Sequence, residues 1–367
     1  MYKKSVGIIT FHASHNYGSM LQAYALQHVV SDMGFYCEII NFRTKLQKEF
    51  YKPLFFHGNI LERAKRFIVQ FQYIPQILLK DRLFEDFLKK ELILSLKEYS
   101  SLYELENQPP IYDYYISGSD QIWNEKCFDF DWSYFLPFAK DKKCIAYAPS
   151  MGSSPHIEHA TIMCSLLKKY IALSVREKDD SECIKRVLGL PVPVLLDPTL
   201  LLTRESWMDF TVKEPIIKGK YILLYSPWYF ENCYQIAEDL SYRYGMKVIV
   251  TQPFEYLSRK KRWKDFKVCP AVGPKEFLNL CRNASFVCCS SFHAVIFSIL
   301  FNIPFVAYNG MTDSRIANIL RLTGLENHSI TSVGDYVSLD AGYDHAYAVL
   351  SEKRLKSLSW LENSLNL

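Results

Sequence analysis

Short apolar runs separated by stretches of helical periodicity recur along most of this chain. Residues 6–11 (VGIITF) are apolar, the polar HASHNYGS follows, and apolar residues then recur at helical spacing through MLQAYALQHVVSDMGF, with a second run at 36–42. Strand, loop, helix and strand in that order predict a βαβ unit, which requires a parallel sheet. Residues 46–97 break the rhythm: they are aromatic, basic and helically periodic without strands, and predict a helical insertion. Strands are predicted again at 112–117, 143–148, 172–176 and 192–196, with helices at 158–170 and 178–188. Beyond a Pro-rich, charged stretch at 197–220, further strands are predicted at 221–226, 247–251, 286–289 and 304–308, again alternating with helices.

The pattern is that of two Rossmann-like α/β domains, and the length of 367 residues suits two ordinary cores. We expect an N-terminal domain over 1–205, carrying a basic helical insertion at 45–100, and a C-terminal domain over 206–367. A hydrophobic fraction of 49% supports a core in each. The formal charge of +4 hides an asymmetry, because residues 43–90 carry +6 and 258–267 carry +5, leaving −7 for the rest. Such patches attract phosphates, anionic sugars or an anionic membrane face. They are too local for a nucleic-acid footprint, and no zinc-finger spacing, RNP-type motif or long basic helix accompanies them. Ten cysteines without a C-x-x-C read as reduced thiols of a cytoplasmic protein. No signal peptide or membrane-length apolar run is visible, and no metal-ligand spacing, so no metal is expected.

Open α/β sheets bind ligands at the carboxyl ends of their strands, so polar residues there are the candidates. The segment SFVCCSSFHAVIFSILFNIPFVAY places Ser290, Ser291 and His293 where a strand gives way to an apolar helix. Free backbone N–H groups and the helix dipole favour an anion at such a junction; the alternative is a helix capped by a serine. After the first predicted strand, Asn16 and Gly18 suit a tight turn into a helix and a substrate or phosphate loop, with ordinary turn chemistry and Ser19 as cap the alternative. The dinucleotide fingerprint G-x-G-x-x-G is absent, and His12 stands beside the loop as a candidate acid or base. Asp120, in SGSDQIWN, could accept a sugar hydroxyl or act as general base, or cap a helix. Arg176 ends an apolar strand with a fork suited to carboxylate or phosphate, or to a salt bridge with Glu177 or Asp197. Asp197-Pro198 reads mainly as a turn and cap. Arg315 falls in the first turn of a helix, where a cation opposes the dipole, so it is expected to serve an external partner or a cleft.

Six segments in this order resemble the polysaccharide pyruvyl transferase family: GIITFHASHNYGSMLQAYALQ, DYYISGSDQIWN, KCIAYAPSMG, LSVREKDD, PVLLDPTLLL and FVCCSSFHAVIFSILFNIPFVAY. They span most of residues 5–325. The resemblance implies a GT-B-like pair of Rossmann-type domains and transfer of a pyruvyl group from phosphoenolpyruvate to a sugar, giving a cyclic ketal and phosphate. It also implies that Arg176 holds phosphoenolpyruvate and that His293 stands at its binding helix, in a site at 288–294. Some members read Arg-Leu-His where this chain has Ser291-Phe292-His293, so one cationic contact is missing; Arg315 or a basic patch is the candidate replacement. On this reading His293 stabilises or protonates the phosphate side, Asp120 orients or deprotonates the acceptor hydroxyl, His12 is held in reserve, and Ser290, Ser291, Asn16 and Gly18 complete the binding set. Phosphoenolpyruvate is the donor substrate and no cofactor is expected.

The implied acceptor is a glycan of a surface polymer or its lipid-linked precursor. The aromatic and basic segment 51–80 is therefore a candidate for peripheral contact with an anionic membrane, its alternative being a helical cap that packs its Phe and Ile inward. Two other functions fit the architecture: a GT-B glycosyltransferase using a nucleotide sugar, and a non-catalytic glycan-binding member of the family.

Overall fold

The computed structural model describes residues 3–54, 59–152, 159–252, 263, 266–334 and 342–367. The chain forms two compact α/β units. The first comprises Met1–Tyr51, Asp86–Leu202 and Leu350–Leu367, the second Lys52–Glu85 and Thr203–Val349. This division departs from the expected 1–205 and 206–367 in two places. Residues 52–85 of the insertion belong to the second unit, where Leu83 packs so closely on Gly273 that a Cβ there would lie 2.6 Å from the Leu83 Cβ. The last eighteen residues belong to the first, with Leu361 and Leu365 fully buried.

In the first unit β1 (Ser5–Ile9), β2 (Tyr36–Ile39), β3 (Tyr114–Ser117), β4 (Lys143–Ala146) and β5 (Tyr170–Leu173) form one parallel sheet in the order β2-β1-β3-β4-β5. The inner strands β1, β3 and β4 are buried almost throughout, as the interior of a parallel sheet requires, while the edge strands β2 and β5 leave Tyr36 and Ile171 exposed. The helix Tyr17–Asp32, which follows β1, is buried nearly all round, through Met20, Leu21, Ala23, Ala25, Leu26, Val29 and Val30. The strand expected at 192–196 does not form; Val194 makes only an isolated bridge to Val175. Pro191 and Pro193 remove two backbone donors there, so the run cannot sustain a ladder.

The second unit holds β6 (Tyr221–Tyr225), β7 (Lys247–Val250), β8 (Lys267–Val268), β9 (Phe286–Cys289), β10 (Phe305–Tyr308) and β11 (Ser329–Ile330), in the order β11-β10-β9-β6-β7-β8. Counted from β6 this is the Rossmann order 3-2-1-4-5-6. Its core joins Ile222, Leu224, Val248, Val250, Phe286, Cys288 and Val306 to the helix Glu231–Tyr244 through Ile236 and Leu240. The helix Phe292–Phe301 is buried at every position, as an apolar helix inside a unit must be. Among the described residues no helix is long and apolar enough to cross a membrane. Most of the basic patch 258–267 lies outside the described residues.

Candidate functional site

Parallel pairing brings all carboxyl ends of a sheet to one edge. In the first unit the strand order reverses between β1 and β3, the switch point at which such sheets open a crevice. The segments after those strands hold His12, Asn16, Gly18 and Asp120. Asn16 is the helix cap: its Oδ1 accepts from the N–H groups of Gly18, at 2.9 Å, and Ser19, at 3.3 Å. The helix therefore starts at Tyr17, a turn before a Ser19 cap would put it, and Gly18 lies inside its first turn rather than in a tight turn. Ser19 is released for another task, and its hydroxyl donates to Asp120 Oδ2 at 2.5 Å.

Asp120 is buried with a positive φ of 70°, following Gly118, whose φ is 138°. A side chain at Gly118 would put its Cβ 2.0 Å from the Tyr147 carbonyl oxygen, so the chain must pass here without one. Gln22, fully buried, fixes the two loops to each other: its Nε2 donates to Thr10 Oγ1 at 2.8 Å and to the Ser19 carbonyl at 2.9 Å, and its Oε1 accepts from Ser119 N at 3.2 Å.

Arg176 is buried beneath this loop. It donates through Nε to Glu177 and through a terminal nitrogen to Asp197, each at 2.7 Å, with Asp120 Oδ1 3.9 Å from the same nitrogen. Burial disfavours its charge, but Glu177, Asp197 and Asp120 more than compensate and push its pKa up. The pairing with Glu177 and Asp197 that the sequence allowed is thus realised, with the guanidinium 2% exposed. Asp197 also caps the turn at Pro198–Leu200 through Thr199. Beside Glu177, burial and the neighbouring carboxylate raise the pKa of Asp180 well above the usual range.

His12 sits with Nδ1 3.2 Å from the Thr10 carbonyl and Nε2 3.3 Å from Asn41 Oδ1. Burial lowers its pKa to about 4, and the ring is neutral near pH 7. A further carboxyl, Asp129, is raised to about 6, chiefly by burial. Gln47 donates to it at 3.4 Å, and Tyr51 interacts with Asp129, Asp120 and Ser14.

In the second unit the switch point lies between β6 and β9. Ser226 and Ser290 follow those strands directly, and their hydroxyls are 2.7 Å apart; Ser226 also donates to the Trp228 carbonyl. Ser291 occupies the cap position of the Phe292–Phe301 helix and makes no side-chain capping bond. The serine-capped alternative is thus not what forms. His293 follows in the first turn, largely buried, its ring edge-on to Phe292 at 5.1 Å. Arg315, the candidate for the missing cationic contact, stands in the first turn of the helix Ser314–Thr323. Its guanidinium forks onto Asp313, at 2.6 and 3.1 Å, and Asp313 caps the helix Ser314–Thr323 through Oδ1. The charge that should oppose the dipole is neutralised by the cap itself, a local partner rather than an external one.

Sequence reading missed Gln22, Asp129, Asp180 and Ser226, and gave Ser19 only as a cap. Gln22 carried a signal, a polar residue in an otherwise apolar helix; Ser226 carried another, a hydroxyl directly after an apolar run. Asp129 carried none, because its partner Gln47 lies 82 positions away. Among the described residues no group of three or more His, Cys, Asp or Glu side chains is placed to hold a metal ion.

The sequence model of the polysaccharide pyruvyl transferase family matches residues 16–310. No curated protein matches the chain in sequence. Similar solved structures include the S. aureus MnaA–UDP complex, at 11% identity and a TM-score of 0.53, covering 96% of this chain and 88% of that one. They also include the UDP-GlcNAc 2-epimerase of Methanocaldococcus jannaschii, at 12% identity and a TM-score of 0.47, covering 95% and 92%. The E. coli heptosyltransferase WaaC follows at 11% and 0.41, covering 95% and 99%. At 11% identity the likeness to the MnaA–UDP complex is one of fold alone.

Proposed function

Because the chain belongs to the polysaccharide pyruvyl transferase family, we propose that it transfers the pyruvyl group of phosphoenolpyruvate to two hydroxyls of a sugar in a surface glycan or its lipid-linked precursor. The observation that carries this reading is the β6/β9 switch point, where Ser226, Ser290 and Ser291 surround a helix start that lacks a side-chain cap and has His293 in its first turn. Backbone N–H groups at a helix start, hydroxyls and an imidazole are matched donors for a small polyanion.

In the reaction, C3 of the enol gains a proton and C2 is attacked by the first hydroxyl. The C2–O bond to phosphate then breaks, and the second hydroxyl closes the ketal. Of the two hydroxyl protons released, one balances that gained by C3 and the other leaves with phosphate. His293 and the helix start bind the phosphate and stabilise its departure. Asp120 can accept the proton of a sugar hydroxyl bound at the switch point of the first unit, where Ser19 and the Gln121 N–H orient it by donating to its two oxygens. Arg176 acts as a positioning residue that holds the Asp120 loop, and neutral His12 stays in the segment after β1, beside the Thr10 carbonyl and Asn41. Phosphoenolpyruvate places the reaction in the cytoplasm.

The resemblance to a UDP-bound structure favours a second reading, a glycosyltransferase acting on a nucleotide sugar. Thermal shift separates the two: pyruvyl transfer predicts stabilisation by phosphoenolpyruvate and none by UDP. It further predicts phosphate release from phosphoenolpyruvate with at least one of a panel of galactosyl, glucosyl and mannosyl acceptors. His293→Ala should abolish both the shift and the release. Stabilisation by UDP alone, or undiminished turnover in a folded His293→Ala protein, would reject the proposal.

A further inference from the structure

The helix Ile60–Gln70 is turned the wrong way round for a helix that only caps a fold. It is well formed, with a reciprocal capping box in which Asn59 accepts from Glu62 N at 2.9 Å and Glu62 accepts from Asn59 N at 3.0 Å. Ile60, Leu61, Ala64, Phe67, Ile68 and Phe71 fall on one arc of about 120° at the helical angular spacing. An inward-packing cap would bury that arc. Instead Ile60 is 82% exposed, Leu61 81%, Ile68 73% and Phe71 63%. The opposite side is the covered one, with Gln70 buried and Arg66 and Val69 half-buried. The alternative that Phe and Ile pack inward is therefore not what forms here.

An apolar arc of this kind, left in water by a helix held on its polar side, marks an interaction surface. Its charges say which kind. Arg63 and Lys65, both exposed, border the arc on either side. Across residues 60–82 there are five Lys or Arg against Glu62 and Asp81, a net +3. A second copy of the same face would bring Arg63 and Lys65 against their own counterparts, which opposes self-association. Anionic phospholipid complements it, each basic residue near the surface contributing about 1 kcal/mol while the apolar side chains enter the acyl boundary.

We propose that the Ile60–Gln70 helix, continued through Phe71, is an interfacial anchor that seats the second unit on an anionic lipid bilayer. This inference is independent of the reaction assigned above. The test is co-sedimentation of the full chain with vesicles of phosphatidylcholine alone and with an equal mixture of phosphatidylcholine and phosphatidylglycerol. Binding should require the anionic lipid and weaken with salt. Ile68→Asp with Phe71→Asp should reduce it at least about tenfold, and Arg63→Glu with Lys65→Glu should abolish the preference for anionic vesicles. All four positions are exposed or border the arc, so melting temperatures should stay at the wild-type value, which distinguishes lost docking from lost folding. Absence of binding to the mixed vesicles, or equal binding by the variants, would overturn the proposal. So would concentration-dependent self-association in lipid-free solution that the Ile68→Asp, Phe71→Asp protein lacks.

Discussion

Arg176 balances Glu177 and Asp197 at contact distance and Asp120 at 3.9 Å. Removing one member of a buried ion cluster costs more than the cluster contributes, because the remaining charges stay buried without compensation. Arg176→Met should therefore destabilise the protein by about 3–5 kcal/mol in urea unfolding. Arg176→Lys should recover little of this, a point charge being unable to reproduce two divergent hydrogen bonds; a loss below about 1 kcal/mol in Arg176→Met would show the cluster is not structural. Asp129 gives a prediction with a pH window. Burial raises its pKa from 3.8 to about 6, so the native state keeps a proton that the unfolded chain has released. The stability it contributes is full below pH 3.8 and is lost as pH rises through about 6, amounting to about 3 kcal/mol over that span. Asp129→Asn cannot titrate, and relative to wild type it should gain about that much between pH 4 and pH 7.5. Parallel pH profiles of the two proteins in urea unfolding would refute the assignment. The sequence offered both readings of Arg176 and could not choose, because the choice depends on whether three carboxylates from separate loops converge on it.

The helix Phe292–Phe301 shows why a local motif can be legible when its surroundings are not. Its start was readable because an apolar run, two serines and a second apolar run leave only one place for the strand to end. The missing cap was not readable, since serine at a cap position ordinarily bonds back to the backbone. Ser291→Asp tests what the helix start is for. A carboxylate there would add the side-chain cap that Ser291 does not make and complement the dipole, raising stability by about 1 kcal/mol. It would also occupy the same donors with the wrong charge, and phosphoenolpyruvate binding should weaken at least about tenfold. Ser291→Ala, which removes no capping bond, should leave the melting temperature in place. A Ser291→Asp protein that binds phosphoenolpyruvate as wild type does, by calorimetry, would separate this helix start from the anion. Elsewhere the apolar runs were sound guides to β1 to β5, β6, β7, β9 and β10. They failed at 192–196, where two prolines outweigh the hydrophobic pattern, and were silent about the two-residue strands β8 and β11, which are too short to carry periodicity.

At the scale of the whole molecule the chain does not divide at a single linker. The helix Asp344–Leu365 begins in the second unit and ends in the first, so the first cannot be completed until the last residues have been made. What the tail contributes is specific. Ser357 Oγ accepts from Leu196 N at 3.1 Å, Arg354 Nε donates to the Leu200 carbonyl at 2.7 Å, and Trp360 lies beside Tyr147 with ring centroids 6.2 Å apart. Leu361 and Leu365 are buried completely, each a burial of about 2 kcal/mol. Leu196 and Leu200 flank Asp197, and the Tyr147 N–H donates to the Ser117 carbonyl at the end of β3, just before the Asp120 loop, so the tail supports the site's frame without entering it. A chain ending at Val349 loses these contacts together, and the loss should exceed the margin of a typical domain's stability. Amide hydrogen exchange on that truncated chain should show β1, β3 and β4 deprotected while β6 and β9 remain protected, because their cores draw on different stretches of sequence. Uniform protection in both sheets would mean the tail is dispensable to the first unit; uniform loss would mean the two units fold as one cooperative body.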